Sequence, residues 1–363
     1  MAKAAKIASL RVRPVQVPLR RPLVVASGQI DKAPLIALDL RCDEGPVGQS
    51  YIFTYTPQAL GPTARLIEEM GQAIQGQAAA PYEIERLLAG RFRLLGATGL
   101  VTMAMAAIDM ALWDAAAKAA GLPLARYLGG TPKALPAYNS NGLGIVGASA
   151  AAAEAAELVG EGFTAVKLRL GYPTLREDLA VVTAVRRAVG DETTLMVDYN
   201  QSLSFAEAMT RVLALDDFGL AWIEEPLPSD DLAGHARLRA KARTPIQLGE
   251  NFWSPRELAR ALEAGAGDLY MPDLMKIGGP TCWLRAAALA EPAGIPLSCH
   301  LFPDLSAHLL AVTPTAHWVE FVDWAEAIRA TRIPRGEGTV LIEERPGFGF
   351  QWDEGALARY ALS

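Results

Sequence analysis

The stretch LMVDYNQSLSFAEAMTRVLALDDFGLAWIEEP, residues 195–226, contains a complete strand–helix–strand unit. Its first run, Leu195–Asn200, and its last run, Ala221–Pro226, are short and mostly apolar, as buried strands of a parallel sheet are. Between them, Phe205–Asp217 has the apolar spacing of an amphipathic helix. Each strand run also contains an acid near its end. The stretch therefore predicts two neighbouring parallel strands that present carboxylates at the same edge of a sheet.

The same alternation of strand and helix continues on both sides of this unit, from residue 135 onward. Further strand runs are Ala165–Leu170, Ile246–Asn251, Asp268–Leu274, Ile295–Leu301 and His317–Val322, and further helices are Ala148–Gly160, Leu175–Val189, Pro255–Ala264 and Gly279–Ala293. Units of about 30 residues fit a (β/α)₈ barrel of about 250 residues. A doubly wound open sheet is the alternative, but no G-x-G-x-x-G turn follows an early strand, as that fold would want.

The first third of the chain has a different pattern, in which strands precede helices. Ile7–Leu19 and Ala33–Cys42 alternate apolar and polar residues, as half-buried antiparallel strands do, and Gly28–Lys32 is expected to be an exposed loop between them. Helical spacing follows in Pro57–Ile74, Tyr82–Arg91 and Gly99–Ala120. We predict an α+β capping domain at 1–130, a modified (β/α)₈ barrel at 131–325, and a C-terminal segment at 326–363 that packs back on the capping domain.

Composition excludes several classes of protein. The chain has 34 Lys and Arg against 40 Asp and Glu, a net charge of −6, which argues against nucleic-acid binding and against an anionic membrane surface. No run approaches 18 uninterrupted apolar residues and the N-terminus is unlike a signal sequence, so no membrane span is expected. Cys42, Cys282 and Cys299 are too scattered for a disulfide framework or a thiolate zinc site. We therefore expect a cytoplasmic globular protein.

Ionisable residues stand at or near the end of each strand run in the barrel region. They are Lys167, Arg169, Asp198, Glu224, Glu250, Asp273, His300 and Glu320. From Asp198 onward they are 20 to 27 residues apart, which is one βα unit. This spacing places them together at the C-terminal mouth of the barrel, where barrel enzymes carry out their chemistry.

Asp198, Glu224 and Glu250 are the candidate metal ligands. Three converging carboxylates repel one another unless a cation neutralises them. Hard oxygen ligands without Cys or His favour Mg²⁺, with Mn²⁺ as a possible substitute. A single strand-end acid could be a solvated surface charge or a helix cap, but three acids at equal steps within apolar runs are poorly explained in that way.

A divalent metal beside Lys167 and Arg169 suits a small carboxylate substrate. Removal of its α-proton creates an enediolate, whose charge the metal and the cationic side chains would stabilise. His300 is the natural base, because its pKa lies near neutrality, and Asp273 could orient the imidazole. Glu320 could donate a proton to the enediolate if burial keeps it protonated. Of the other histidines, His235 is expected at the surface and His308 and His317 in structural positions.

Six of these runs together resemble the enolase superfamily, mandelate racemase subgroup. They are AVKLRLG (165–171), MVDYNQ (196–201), WIEEP (222–226), GEN (249–251), MPDLMKIGG (271–279) and SCHLF (298–302). The resemblance implies a modified barrel under an α+β capping domain, Mg²⁺ on the three carboxylates, an Asp273–His300 dyad as one catalytic base and Glu320 as the electrophilic acid. It also implies that Lys167 and Asn200 contact the substrate carboxylate or the enediolate, that Ser140 and Lys276 are supporting polar residues, and that the protein is a homo-oligomer.

One position departs from the family pattern. Two-base racemases of the family carry Lys-x-Lys on the second barrel strand, whereas this chain reads Lys167-Leu168-Arg169. Arginine has a pKa above about 12 and is a poor base. Two outcomes follow: a one-base enzyme that uses His300 to dehydrate acid sugars, or a racemase in which Arg169 works poorly as the second base.

The residues expected to line the pocket help to weigh these outcomes. Their positions read Leu23, Ile30, Phe53, Tyr55, Leu301 and Val322. An apolar lining suits an aryl or alkyl 2-hydroxy acid, whereas a sugar acid needs several hydrogen-bond partners for its hydroxyls. We predict racemisation of a 2-hydroxy acid, with acid-sugar dehydration as the alternative.

Two other classes of function explain the sequence less well. A non-catalytic binding protein on the same fold would be expected to lack some of the metal or base residues, and all of them are present. A metal-free lyase with a Schiff-base lysine would leave the three carboxylates unexplained.

Overall fold

Two sheets organise the part of the chain that the computed structural model describes, residues 5–25 and 28–362. The first is a three-stranded antiparallel sheet of β1 (Ile7–Val25), β2 (Gly28–Cys42) and β3 (Gly48–Phe53). The second contains β4 (Ala134–Asn139), β5 (Ala165–Arg169), β6 (Thr194–Asp198), β7 (Ile223–Glu224), β8 (Ile246–Leu248), β9 (Leu269–Tyr270), β10 (Leu297–Cys299), β11 (Ala316–Phe321), β12 (Arg335–Gly336) and β13 (Thr339–Leu341).

The strands β4 to β11 form a closed parallel barrel. Each pairs in parallel with the next, and β11 returns to pair with β4, with Val319 opposite Ala137. The barrel helices are α5 (Ala148–Gly160), α6 (Leu175–Val189), α7 (Phe205–Leu215), α8 (Leu232–Arg239), α9 (Pro255–Ala264), α10 (Gly279–Ala293) and α11 (Pro303–Leu310). The predicted fold class, a modified barrel with an N-terminal cap, is therefore confirmed.

Local sequence signals fix where the barrel helices begin. Thr174 with Glu177 and Ser204 with Glu207 form capping boxes at the starts of α6 and α7, so each helix begins a few residues after its strand. Such short strand-to-helix connections keep the strand ends open at one mouth of the barrel.

The cap places four helices, α1 (Pro57–Ile74), α2 (Pro81–Arg91), α3 (Leu100–Ala119) and α4 (Leu124–Tyr127), with the antiparallel sheet. By length and composition α3 could cross a membrane, but 89% of its most apolar window is buried inside the protein. The sheet approaches it closely at Gly48, where an added Cβ would lie 2.0 Å from the carbonyl oxygen of Ala111. The apolar character of α3 is thus accounted for by its position in the core of the cap.

The structure corrects the sequence-based elements in two places. Gly28–Lys32 is not a loop but the start of β2, because the hairpin continues with Leu23 opposite Ile30 and Val24 opposite Gln29. The first barrel strand, β4, was missing from the predicted runs. Strand β4 contains Pro136, which is unusual within a strand because it lacks a backbone N–H. Pro136 lies opposite Thr339 of the tail strand β13, whereas β4 pairs with the barrel strand β5 at Asn139.

The C-terminal segment contacts both the barrel and the cap. Strand β13 pairs antiparallel with β4, with Thr339 opposite Pro136. Beyond it, α12 (Glu354–Arg359) follows Trp352, whose indole Nε1 donates to the buried carboxylate of Asp39 on β2 at 2.9 Å. The division of the chain at residues 130 and 325 stays a prediction.

Candidate active site

Three carboxylates meet at the C-terminal mouth of the barrel. Asp198 ends β6 and lies opposite Glu224 at the end of β7, and Glu250 follows two residues after β8. All three are buried, and one ligand oxygen from each lies within 4.8 Å of the others. The structure therefore brings together the three residues that the spacing selected as metal ligands.

The donor set fits a hard divalent cation. Burial raises the pKa of Glu224 well above its ordinary value, and repulsion from Asp198 adds to this effect. Carboxylates held in this way are stabilised by a cation that all three can contact. Oxygen ligands alone select Mg²⁺ or a similar ion over zinc or copper. Asp198, Glu224 and Glu250 would hold such an ion.

Lys167 on β5 is the cation nearest to this group. Its Nζ lies 2.7 Å from Glu224 Oε1, 3.3 Å from Asp198 Oδ2 and 2.9 Å from Glu320 Oε1, and the side chain is 1% exposed. Burial would lower the pKa of Lys167, but the three carboxylates outweigh burial and raise it well above its ordinary value. Lys167 is therefore an ammonium ion held among three buried carboxylates, and its contact with substrate stays a prediction.

The Asp273–His300 dyad is formed as predicted from the sequence. The two residues pair side by side across the ends of β9 and β10, and His300 Nδ1 lies 2.7 Å from Asp273 Oδ2. The other oxygen, Asp273 Oδ1, accepts the backbone N–H groups of Met275 at 2.8 Å and Lys276 at 2.9 Å. Because both carboxylate oxygens are occupied, Asp273 fixes the ring and its tautomer, with Nε2 turned toward the metal ligands.

The surroundings of His300 set its basicity. Nε2 lies 3.3 Å from Glu250 Oε2 and 3.8 Å from Glu320 Oε2. Burial alone would lower the pKa of His300, but these carboxylates and Asp273 outweigh it and raise the pKa above its ordinary value. The carboxylates around His300 therefore favour the protonated form of its imidazole.

Glu320, at the end of β11, lies between Lys167 and the backbone of Leu301. Its Oε1 forms an ion pair with Lys167 Nζ at 2.9 Å, and its Oε2 accepts the backbone N–H of Leu301 at 2.9 Å. Burial raises the pKa of Glu320, but Lys167, His300 and Arg169 outweigh burial and hold it well below its ordinary value. The neighbouring cations thus stabilise the carboxylate form of Glu320, against the effect of burial. Its role as the electrophilic acid stays a prediction.

Arg169, at the end of β5, directs its guanidinium hydrogen bonds to the loop after β4. Nη1 donates to the carbonyl oxygens of Ser140 at 2.9 Å and Gly142 at 2.7 Å, and Nη2 donates to Ser140 Oγ at 2.8 Å. The side chain is buried. Three hydrogen bonds thus commit the guanidinium to this loop, and Ser140, predicted as a polar support of the site, acts here by accepting from Arg169.

Two further predicted residues make contacts within the site. Asn200 has a left-handed backbone with φ 44°, and it donates to Asp198 through its backbone N–H at 2.7 Å and through Nδ2 at 3.0 Å. Lys276 Nζ donates to Asn251 Oδ1 at 2.6 Å and lies 4.2 Å from the ring centroid of Tyr55. Asn200 therefore orients a metal ligand, while its contact with substrate stays a prediction.

The apolar residues predicted to line the pocket lie on the cap and at the barrel mouth. The Tyr55 hydroxyl donates to Asp273 Oδ2 at 3.4 Å, and the Tyr55 ring packs 4.6 Å from that of Phe53. Ile30 is half-buried opposite Leu23 in the cap hairpin. Leu301 is buried with φ 53° and contacts Glu320 through its backbone. That Tyr55, Ile30 and Leu301 contact substrate stays a prediction.

Sequence reasoning passed over one acidic residue of the site and misplaced one histidine. Glu225, beside Glu224, accepts from Asn251 Nδ2 at 2.7 Å, and burial raises its pKa to about 8. The consecutive acids at a strand end are the signal that could have selected it. We expected His235 at the surface, but it is fully buried on α8. Asp231 caps α8, but the helix itself, Leu232–Arg239, has no strong apolar periodicity that would mark it in the sequence.

Comparison with known proteins places this site in a family. Residues 7–129 match the family described as mandelate racemase / muconate lactonizing enzyme, N-terminal domain, and residues 150–356 match the family described as enolase C-terminal domain-like. A crystal structure of an enolase from Bradyrhizobium complexed with magnesium and mandelic acid is 43% identical, with TM-score 0.96 and full coverage of both chains.

Two further relatives extend the comparison. An enolase from the alphaproteobacterium bal199 with bound magnesium is 42% identical, with TM-score 0.97, covering 99% of this chain and 100% of that one. The L-talarate/galactarate dehydratase of Salmonella typhimurium is 31% identical over 96% of this chain and 88% of its own length. On these matches and on the geometry of the barrel mouth, the chain is an enzyme of the mandelate racemase / muconate lactonizing enzyme family of the enolase superfamily.

Proposed function

We propose that this enzyme, with Mg²⁺ on Asp198, Glu224 and Glu250, removes the α-proton of a small carboxylate substrate. The observation that carries the proposal is the Asp273–His300 dyad, which holds His300 Nε2 3.3 Å from Glu250 in the metal-ligand group. When bound, the metal supplies a Lewis acid for the substrate carboxylate. A base and a carboxylate-binding centre at this separation define the first step of the reaction.

The protein residues divide the remaining tasks. His300 takes the α-proton, and Asp273 stabilises the imidazolium that results. Lys167, the buried ammonium, stabilises the negative charge that grows on the carboxylate oxygens of the enediolate. The N–H of Leu301 and the ammonium of Lys167 keep Glu320 in place at the same centre. Cap residues such as Tyr55 exclude water from the site.

We propose racemisation of an aryl or alkyl 2-hydroxy acid as the overall reaction. Support comes from the buried apolar side chains of Phe53, Leu301 and Val322. Further support comes from the mandelic acid bound by the relative that is 43% identical. Racemisation also needs a proton delivered to the face of the substrate opposite His300, and the cations on that side of the barrel are Lys167 and Arg169.

A second candidate function is supported by the contacts of Arg169. Because its guanidinium donates to Ser140 and Gly142, it is poorly suited to pass protons. A dehydratase needs only His300 to remove the α-proton and expel a β-hydroxyl from an acid sugar. The dehydratase from Salmonella typhimurium, 31% identical, is a relative with such an activity.

Proton NMR in D₂O separates these reactions. Each enantiomer of mandelate and a panel of acid sugars would be incubated separately with the enzyme and Mg²⁺. Exchange of the α-proton from both enantiomers, with formation of the opposite hand, is the expected result. Exchange from one enantiomer alone would refute racemisation, and a 2-keto-3-deoxy product from an acid sugar would establish dehydration. Activity that persists in EDTA would refute the metal-dependent mechanism itself.

We also propose a cytoplasmic homo-oligomer. A reducing compartment is consistent with the three cysteines, which are all free thiols. Leu94 and Leu95, between α2 and α3, are 98% and 75% exposed, and such apolar exposure supports contact with a second copy. Light scattering coupled to size exclusion measures the oligomeric state, and a monomer at all concentrations would contradict this proposal.

A further inference from the structure

Two segments from distant parts of the chain meet at the barrel mouth. We call residues 140–145, between β4 and α5, the mouth loop, and the paired ends of β1 and β2, Leu23–Val25 with Gly28–Ile30, the hairpin arm. The backbone N–H of Ile145 donates to the carbonyl oxygen of Val24 at 2.8 Å. The mouth loop therefore contacts this part of the cap directly, through a backbone hydrogen bond.

Arg169 holds the mouth loop from the barrel side. Its Nη1 spans the carbonyl oxygens of Ser140 and Gly142, its Nη2 reaches Ser140 Oγ, and its backbone N–H donates to the carbonyl oxygen of Leu143 at 2.9 Å. Leu143 has φ 50°, a conformation that a non-glycine residue keeps only where its surroundings impose it. The four hydrogen bonds from Arg169 supply that constraint.

The mouth loop and the hairpin arm are closely packed at Gly144 and Val24. A Cβ added at Gly144 would lie 2.4 Å from the oxygen and 2.8 Å from the nitrogen of Val24. Glu154 on α5 connects the mouth loop to β1 just before the arm, because its Oε2 accepts the N–H of Leu143 at 2.7 Å and its Oε1 lies 3.7 Å from Arg21 Nε. The position of the arm is thus set by the shape of the loop.

We propose that Arg169 is a positioning residue for substrate selection: by shaping the mouth loop it seats the hairpin arm, with Leu23 and Ile30, at the entrance of the active site. The planar guanidinium suits this task, because it reaches two carbonyls and a hydroxyl at once, whereas a lysine would offer a single nitrogen. That the arm faces substrate rests on the proposed function. The link from Arg169 to the arm rests on the contacts above.

Backbone amide exchange, measured by mass spectrometry or NMR without substrate, tests that link directly. Gly144→Ala introduces a clash that moves the mouth loop away from Val24. Arg169→Lys removes the guanidinium and with it the hydrogen bonds to Ser140 and Gly142. Each should speed exchange of the Ile145 amide about fivefold or more, as expected for loss of one hydrogen bond. The double variant should add little, since both changes release the same contact. Gly160→Ala, at a position on α5 where a Cβ meets no atom within 4 Å, is the matched control and should change nothing.

Steady-state kinetics test the role in selection. Gly144→Ala should raise KM several-fold and leave kcat within about twofold, because the catalytic side chains are untouched. A purely structural role would lower the amount of active enzyme without raising KM. Unchanged Ile145 exchange in Arg169→Lys overturns the role of Arg169, and unchanged exchange in Gly144→Ala overturns the contact between loop and arm, whatever the turnover. Faster exchange with an unchanged KM overturns the role in selection, and an absence of turnover on every substrate refutes the proposed function instead.

Discussion

Replacing His308 by asparagine should make the stability of this protein less sensitive to acid. His308 lies on α11, is 3% exposed, and its Nδ1 accepts the backbone N–H of Ala125 at 3.1 Å. Burial lowers its pKa to about 4. Asparagine can present an amide oxygen to the same N–H but does not titrate, so the variant isolates the effect of the imidazole.

The sign and size of the effect follow from the pKa of His308 in the unfolded and in the folded protein. In the unfolded chain His308 takes up a proton as the pH falls below 6.5, whereas in the folded protein it stays neutral until about pH 4. The unfolded state therefore binds more protons in this window, and stability falls as the pH falls. At about 1.4 kcal/mol per pH unit the loss reaches about 2 kcal/mol at pH 5 and about 3 kcal/mol below pH 4.

Urea denaturation at pH 7.5 and at pH 5 measures this difference. Between the two conditions the wild-type protein should lose about 2 kcal/mol more stability than His308→Asn. Titration of other groups is common to both proteins and cancels in the comparison. If His308→Asn loses as much stability as the wild type, the imidazole is not the neutral buried group described here. The variant is also the proper background for pH–rate profiles, because it separates acid unfolding from titration of the base His300.

Three other perturbations test the site and its support. His300→Asn should abolish α-proton exchange by the imidazole and lower turnover by about 10² to 10⁴, measured by NMR in D₂O. Lys167→Met should cost about 3–5 kcal/mol of stability, because it leaves buried carboxylates without their cation, and added Mg²⁺ should restore part of that loss in a thermal melt. Asp109→Asn should weaken the dependence of stability on pH between about pH 4 and pH 7. Burial raises the pKa of Asp109 to about 7, so the folded state holds a proton that the unfolded chain loses above 3.8, and stability falls as the pH rises through this window.

Each of these predictions has a result that contradicts it. Full turnover in His300→Asn on every substrate would remove His300 as the base. A melting temperature of Lys167→Met equal to that of the wild type would show that the carboxylates do not need the ammonium. For Asp109→Asn we expect about 2–3 kcal/mol less loss of stability than in the wild type between pH 5 and pH 8, and an equal loss in both proteins would contradict the buried titration.

The metal ligands and the dyad could be predicted from sequence because barrel geometry is periodic. One βα unit separates Asp198, Glu224 and Glu250, and parallel strands carry their ends to a common mouth. The same reasoning placed Asp273 beside His300. In these cases spacing along the chain is converted directly into proximity by the fold.

The remaining features depend on contacts that spacing does not encode. Lys167 helps to hold the pKa of Glu320 low. The two residues lie far apart in the sequence, on β5 and β11. The orientation of Arg169 depends on the carbonyls of a loop whose backbone shape no local pattern indicates. Strand β4 escaped detection because Pro136 interrupts its pattern, and its pairing with β13 becomes visible only in three dimensions.

The bond between Trp352 and Asp39 has a consequence for how this chain is made. Asp39 is 5% exposed in the cap sheet, and one of its partners lies 313 residues further along the chain. During synthesis the N-terminal sheet leaves the ribosome before that indole exists, so the partners of Asp39 available at that stage are Arg13 and Gln49 on the neighbouring strands. The bond from Trp352 therefore makes the full set of contacts in the cap sheet depend on a segment that is synthesised 313 residues later.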